Sequence, residues 1–165
     1  MQPTVLMTTL SNYPKEGLPS YAHPGDSGMD LYAAVSGPVV ISTRPQAIPT
    51  GIKMSIPVGY EGQVRPRSGL ALREGLIVVN SPGTIDSQFR GEIMVVLACL
   101  GRQTADGAVI AHTLTVHPGD RVAQLVISPV VTPTVIHVRE DELSSTVRGA
   151  NGLGSTGLND SGAKR

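Results

Sequence analysis

A chain of 165 residues is long enough for one compact domain with a sizeable core, and none of its apolar stretches is long enough to span a bilayer. Thirteen Lys and Arg against thirteen Asp and Glu leave no net charge, which argues against a basic groove tracking a nucleic-acid backbone. A few arginines converging on a small anion remain possible. Proline (13) and glycine (19) are abundant, but at 40% hydrophobic the chain is too apolar to be disordered.

The first 22 residues are polar and Pro-rich apart from Val5-Leu6-Met7, an edge-strand candidate. From about residue 30 to 138, short β-branched runs alternate with turns: Val39-Val40-Ile41, Ile77-Val78-Val79, Val95-Val96-Leu97, Val126-Ile127 and Val130-Val131. This is the pattern of many short strands. Trp is absent and Phe89 is the only Phe, so the core must be aliphatic. His-Pro-Gly-Asp occurs at 23–26 and again at 117–120, and each copy suits a type II turn with Gly at the positive-φ position. One segment breaks the strand pattern. Ser68-Gly-Leu-Ala-Leu-Arg-Glu-Gly75 reads as a helix of about two turns, with Ser68 as N-cap and Gly75 just past its end. Gly101 to His112 reads as a hairpin excursion turning at Asp106-Gly107. The lone Cys99 reads as a buried core thiol, and with no signal-peptide h-region the expected compartment is cytoplasmic. Residues 1–140 are expected to form the domain, and 141–165 a mobile tail.

Five segments have chemical potential. Arg148-Gly-Ala-Asn-Gly-Leu-Gly-Ser-Thr-Gly157 could turn successive amides toward an anion, with Arg148, Ser155 and Thr156 as further donors; the same composition also suits a flexible tail. Arg65-Pro-Arg-Ser-Gly-Leu-Ala71 would place Arg67 beside the amides of a helix start, or be an ordinary cap with solvated arginines. Val79 to Glu92 is a long connection between two apolar strands, 76–79 and 93–100; Asp86 within it could take a proton from water or merely close an Asx turn. In Pro118 to Val126, Asp120 and Arg121 could pair, leaving Gln124 as an uncharged donor. In Pro24 to Ala33, Asp30 begins a strand.

Taken in order, these segments resemble the five motifs of the trimeric dUTP diphosphatase family, most tellingly PRSGLA at 66–71, GTIDSQFRGEI at 83–93, PGDRVAQLV at 118–126 and RGANGLGSTG at 148–157. The resemblance implies an all-β fold, a distorted jelly-roll-like β-barrel with one short helix. It also implies a homotrimer whose active sites are shared between subunits, with a mobile C-terminal lid. The implied reaction is hydrolysis of dUTP to dUMP and pyrophosphate with Mg²⁺. Asp86 matches the residue that orients the attacking water. Asn80, the Thr84-Ile85 backbone and Met94 fall where the family holds uracil, and Phe89 where an aromatic ring, usually Tyr, packs on the deoxyribose. Arg67, Ser68, Gly69 and Gln124 match phosphate contacts, and Arg148, Ser155 and Thr156 the tail's grip on the γ-phosphate. Asp30 matches a residue that reaches the metal through water. Leu153 stands where the family's stacking aromatic usually lies. The same fold serves dCTP deaminases, but GTIDSQFRGE follows the diphosphatase pattern. A non-enzymatic binding module is the second alternative, against which the intact Asp86, Arg67 and Ser68 count.

Overall fold

Buried and exposed side chains alternate along most of the longer strands, the period-two signature of sheets with one face on a core. The computed structural model describes residues 3–15, 18–103, 106 and 109–150. Strands β1 (Leu6–Thr9), β2 (Gly28–Tyr32), β3 (Val39–Ile41), β4 (Gln46–Pro49), β5 (Ile52–Ser55) and β6 (Tyr60–Arg65) precede helix α1 (Ser68–Glu74). Strands β7 (Leu76–Val78), β8 (Gly83–Ile85), β9 (Met94–Cys99), β10 (Arg102–Gln103), β11 (Val109–Ile110), β12 (Leu114–Val116) and β13 (Arg121–Pro129) follow it. They pair antiparallel as β2-β13-β6-β8, β4-β9-β7, β1-β5, β3-β12 and β10-β11. Among the described residues the fold is all-β with one short α-helix, and these pairings do not close into a barrel. Residues 1–132 make one unit and 133–165 a second, of which 133–150 are described.

The core of the first unit is aliphatic, as the composition requires. Leu31, Ile41, Ile52, Ile93, Val95, Leu97 and Leu125 are fully buried, and Phe89 is not among the buried residues. Cys99 is buried, and that burial pushes its thiol pKa up. Val130-Val131 falls beyond the end of β13, where the Val130 N–H turns to the Gly59 carbonyl. In the excursion, Arg102 pairs with Ile110 and Gln103 with Val109, so it is a hairpin. Its expected Asp106-Gly107 turn includes Gly107, which lies outside the described residues.

Both His-Pro-Gly-Asp turns close in the same way. The Asp N–H donates to the His carbonyl at 3.1 Å, and the Asp carboxylate accepts the His N–H at 2.8 Å in the first and 2.7 Å in the second. The same four residues thus make the same turn twice. Helix α1 departs from expectation at its start. Arg67, extended at φ −88° and ψ 124°, is the N-cap, because its carbonyl accepts the first helical bonds from Leu70 and Ala71; Ser68 is already helical. Gly75 ends the helix at φ 62°, as predicted.

Gly51 is held at φ 69°, and a Cβ there would lie 2.8 Å from the Tyr13 Cα, a backbone atom that cannot swing aside. Gly25 has φ 91° but open space around it. Gly51→Ala should therefore cost about 2–4 kcal/mol, strain and clash together, and Gly25→Ala only about 1 kcal/mol. Urea unfolding of the two variants checks this, and equal losses would contradict it.

Candidate active site

Strand β13 is paired on both sides, and its register sets Gln124 opposite Asp30 of β2 and opposite Arg65 of β6. Residues directly opposite share a face of the sheet. Met29, Leu31, Val64 and Leu125, which flank this row along the three strands, are buried, so Asp30, Gln124 and Arg65 point away from the core.

A β-bulge at Val122 extends the row. Pairing steps from Arg121–Tyr32 to Ala123–Leu31, and the adjacent Val122 and Ala123 are both buried. In a regular strand Arg121 and Gln124, three apart, would face opposite sides; the extra residue brings both to the Asp30 side. Arg121 Nη1 then lies 3.3 Å from Asp30 Oδ2, and Arg67 Nε 3.0 Å from Asp30 Oδ1. The expected Asp120–Arg121 pair does not form, because the Asp120 carboxylate is engaged by the His117 N–H in its own turn.

The 66–69 segment is fastened to this row. Gln124 Nε2 donates to the Pro66 carbonyl at 2.9 Å, and Arg67 Nη1 to the Arg121 carbonyl at 3.3 Å. Gly28 leaves room for this, since a Cβ there would sit 2.5 Å from Gln124 Oε1. Ser68 and Gly69 precede the first residues that donate helical bonds, so their amides have no acceptor within α1. The result is an open cleft of about 440 Å³ whose lining includes Asp30, Arg67, Ser68, Gly69 and Gln124. Arg65, Arg73 and Arg121 line it too, residues for which the sequence suggested no such place. Four arginines against Asp26 and Asp30 leave the cleft positive, which suits a polyanion.

The predicted nucleoside residues lie on the chain from the end of β7 to the start of β9, and none of them lines the cleft. β7 and β9 pair as a hairpin, but the chain between them leaves their sheet so that β8 can pair with β6, Gly83 opposite Val64 and Ile85 opposite Gly62. β8 is the outermost strand of its sheet, so among the described residues one edge of its backbone has no strand partner. The Asn80 amide lies beside Gly83, with Nδ2 3.2 Å from where a Cβ would be. Thr84 and Asp86 are exposed, Ile85 is half-buried against the core, and Phe89 and Met94 are 41% and 39% exposed. The Phe89 N–H donates to the Asp86 carbonyl at 3.0 Å, closing a turn that carries both side chains. Three bonds anchor the base of the hairpin: Thr50 Oγ1–H to the Ile93 carbonyl (2.7 Å), Gly51 N–H to Glu92 Oε1 (2.7 Å) and Ile93 N–H to the Ile52 carbonyl (2.9 Å). The Ser81–Pro82 peptide within it is cis.

The start of β8 is near the cleft, with Gly83 opposite Val64 and so next to Arg65, but Asp86 is farther off. Asp86 follows Ile85, the partner of Gly62, so it falls about four positions from Arg65, roughly 13 Å at strand spacing. It does not line the cleft. In the second unit, Arg148 sits in a turn where the Gly149 N–H donates to the Thr146 carbonyl and hydroxyl, both at 3.1 Å. Leu153, Ser155 and Thr156 lie outside the described residues.

A family model described as dUTPase matches residues 15–157. The deoxyuridine 5'-triphosphate nucleotidohydrolase of Chlamydia pneumoniae is 49% identical over 141 residues, 85% of this chain and 90% of that one. Its counterpart in Rhizobium etli (strain CIAT 652) is 43% identical over 160 residues, 95% of this chain and 96% of that one. Among solved structures, the Staphylococcus bacteriophage 80alpha dUTPase with dUPNHPP aligns at a TM-score of 0.75 and 28% identity, covering 94% of this chain and 99% of that one. A mutant dUTPase from phage phi11 of S. aureus, whose structure reveals the coordination of a structural Mg(II) ion, aligns at 0.67 and 27% identity over 85% and 99%.

The cleft should bind inorganic pyrophosphate, more weakly as salt is added. Arg67→Gln should reduce that affinity by about tenfold, the loss of one charge-assisted hydrogen bond. Titration calorimetry decides it; equal affinities would place the anion elsewhere.

Proposed function

Because the chain belongs to the dUTPase family, we infer that it hydrolyses dUTP to dUMP and pyrophosphate, with water attacking the α-phosphorus. The observation that carries this reading is the cleft in which Asp30, Gln124 and the Arg67-Ser68-Gly69 segment are fastened together, with the unpaired backbone edge of β8 as a second recognition element. dUPNHPP in the phage 80alpha structure is a ligand of the class this arrangement suits.

In the proposed mechanism, Arg67 and the Ser68 and Gly69 amides hold phosphate oxygens, and Gln124 contacts the α-phosphate without adding charge. Uracil, which alternates donors and acceptors, pairs with the Thr84-Ile85 backbone beside Asn80 and Met94. Cytosine would leave groups there unpaired, a mismatch that can reject a base by about 10⁴-fold. Phe89 packs on the deoxyribose, where a 2′-hydroxyl would clash. The Asp86 carboxylate orients the water and takes its proton as the water oxygen bonds to the α-phosphorus. The bond from that phosphorus to the bridging oxygen breaks, and pyrophosphate leaves. Arg148, Ser155, Thr156 and Leu153 of the tail cover the bound nucleotide, with Leu153 supplying apolar contact in place of stacking.

The cleft fits Mg²⁺ held chiefly by substrate. Both Asp30 oxygens are engaged by arginines, which suits contact through water, and no group of three His, Cys, Asp or Glu among the described residues forms a cage. When bound, the ion neutralises charge on the phosphates and the leaving group. A homotrimer with shared sites accounts for the separation of Asp86 from the cleft, one subunit's hairpin meeting another's arginines. No helix among the described residues is long and apolar enough to cross a membrane. A cytoplasmic enzyme suits the single buried thiol.

Asp86→Asn keeps the side chain's shape but removes the base, so pyrophosphate release from dUTP should fall by about 10²–10⁴-fold with the circular dichroism spectrum unchanged. Undiminished turnover would remove Asp86 from the mechanism. Mixing tests the shared site. Trimers of Asp86→Asn alone, or of chains ending before Arg148, should be poorly active, and co-refolding the two should restore activity. No recovery in mixed trimers shown to have formed would mean that each site is built within one chain.

A further inference from the structure

Phe89 holds the chain's only phenylalanine ring, and the ring's outer end lies over a glycine. A Cβ built on Gly91 would be 2.6 Å from Phe89 Cζ, 3.0 Å from Cε2 and 3.4 Å from Cε1. Carbon atoms do not approach to 2.6 Å, so the ring keeps this position only while residue 91 has no side chain. Gly91 is not in the left-handed region, so its backbone would accept alanine; space alone requires glycine. The backbone on either side is tied, by the Phe89 N–H on the Asp86 carbonyl and by the Ile93 N–H on the Ile52 carbonyl. The partly exposed ring is therefore the part that would give way.

We propose that Gly91 is a positioning residue for sugar discrimination: by leaving its α-carbon bare, it lets the Phe89 ring take the angle at which deoxyribose packs and a 2′-hydroxyl does not fit. The proposal rests on reading Phe89 as the residue that faces the sugar. It differs from a folding role, since a displaced ring leaves the core and the Asp86 turn in place.

The measurement is the ratio of kcat/KM for dUTP to that for UTP in Gly91→Ala, Phe89→Ala and the double variant. Gly91→Ala should lower the ratio by about tenfold, the scale of one apolar contact, with the melting temperature little changed. Phe89→Ala should lower it as well, and adding Gly91→Ala to Phe89→Ala should change nothing more. An unchanged ratio in Gly91→Ala beside a lowered one in Phe89→Ala overturns the role of Gly91 alone. An equal further loss in the double variant also overturns it, because the effect would then bypass the ring. An unchanged ratio in Phe89→Ala removes the sugar-facing reading itself. Should Gly91→Ala fail to fold, NMR of the unsubstituted protein still decides. The single phenylalanine gives an unambiguous ring signal, its outer protons should show a nuclear Overhauser effect to the Gly91 α-protons, and absence of that effect refutes the contact.

Discussion

The register of β13 between β2 and β6 is the constraint on which the cleft depends. It places Gln124 between Asp30 and Arg65, and the bulge at Val122 adds Arg121 to the same face. A slip of one residue would turn Gln124 into the core and Leu125 out to solvent. Burial of Leu125, Ala123 and Leu31 resists that slip, so the hydrophobic face of the sheet holds the polar face in position. Gln124 and Arg67 then carry the register into the 66–69 segment through their bonds to the Pro66 and Arg121 carbonyls.

Glycine has two separate uses in this chain. At Gly25, Gly51, Gly75 and Gly119 it permits positive φ, and the chain turns or a helix ends. At Gly28, Gly69 and Gly91 the backbone is ordinary, and the missing side chain is what matters. The Gln124 amide, the Arg73 guanidinium and the Phe89 ring lie where a Cβ would be, at 2.5, 3.1 and 2.6 Å. Each of these side chains belongs to the cleft or the hairpin. A site built on a sheet surface has few ways to hold long side chains down, and a bare α-carbon beneath each is one of them.

Local features were legible in the sequence because local chemistry decides them: the turns at 23–26 and 117–120, the stop at Gly75, the aliphatic core, the excursion at 101–112. Ser68 as cap failed for a reason invisible in composition, since a helix starts where a carbonyl first accepts, and that carbonyl belongs to Arg67. The Asp120–Arg121 pair failed because the Asp120 carboxylate closes its own turn on the His117 N–H, and the bulge aims Arg121 at a residue 91 positions away. A signal was present in the adjacent apolar Val122 and Ala123, which break strict alternation. The departure of β8 to another sheet left no comparable mark, because three residues paired with a distant strand carry no period of their own. Spacing alone does not separate cleft from hairpin; the family resemblance does, because it implies that the PRSG segment and the hairpin reach a site from different subunits.

That separation has a consequence for selectivity. In the proposed reading the cleft's arginines and the Ser68 and Gly69 amides hold polyphosphate, and polyphosphate is common to every nucleoside triphosphate. Within one chain Asp86 is on the turn that also carries Phe89, next to the backbone edge proposed to read uracil and outside the cleft, so in the proposed mechanism the base belongs to the nucleoside-reading element. Hydrolysis then requires one molecule to satisfy both at once, which a nucleotide with the wrong base or sugar cannot do however well its phosphates are held. In that mechanism the cleft supplies affinity for any polyphosphate, and only the correct nucleoside brings the α-phosphorus to the water.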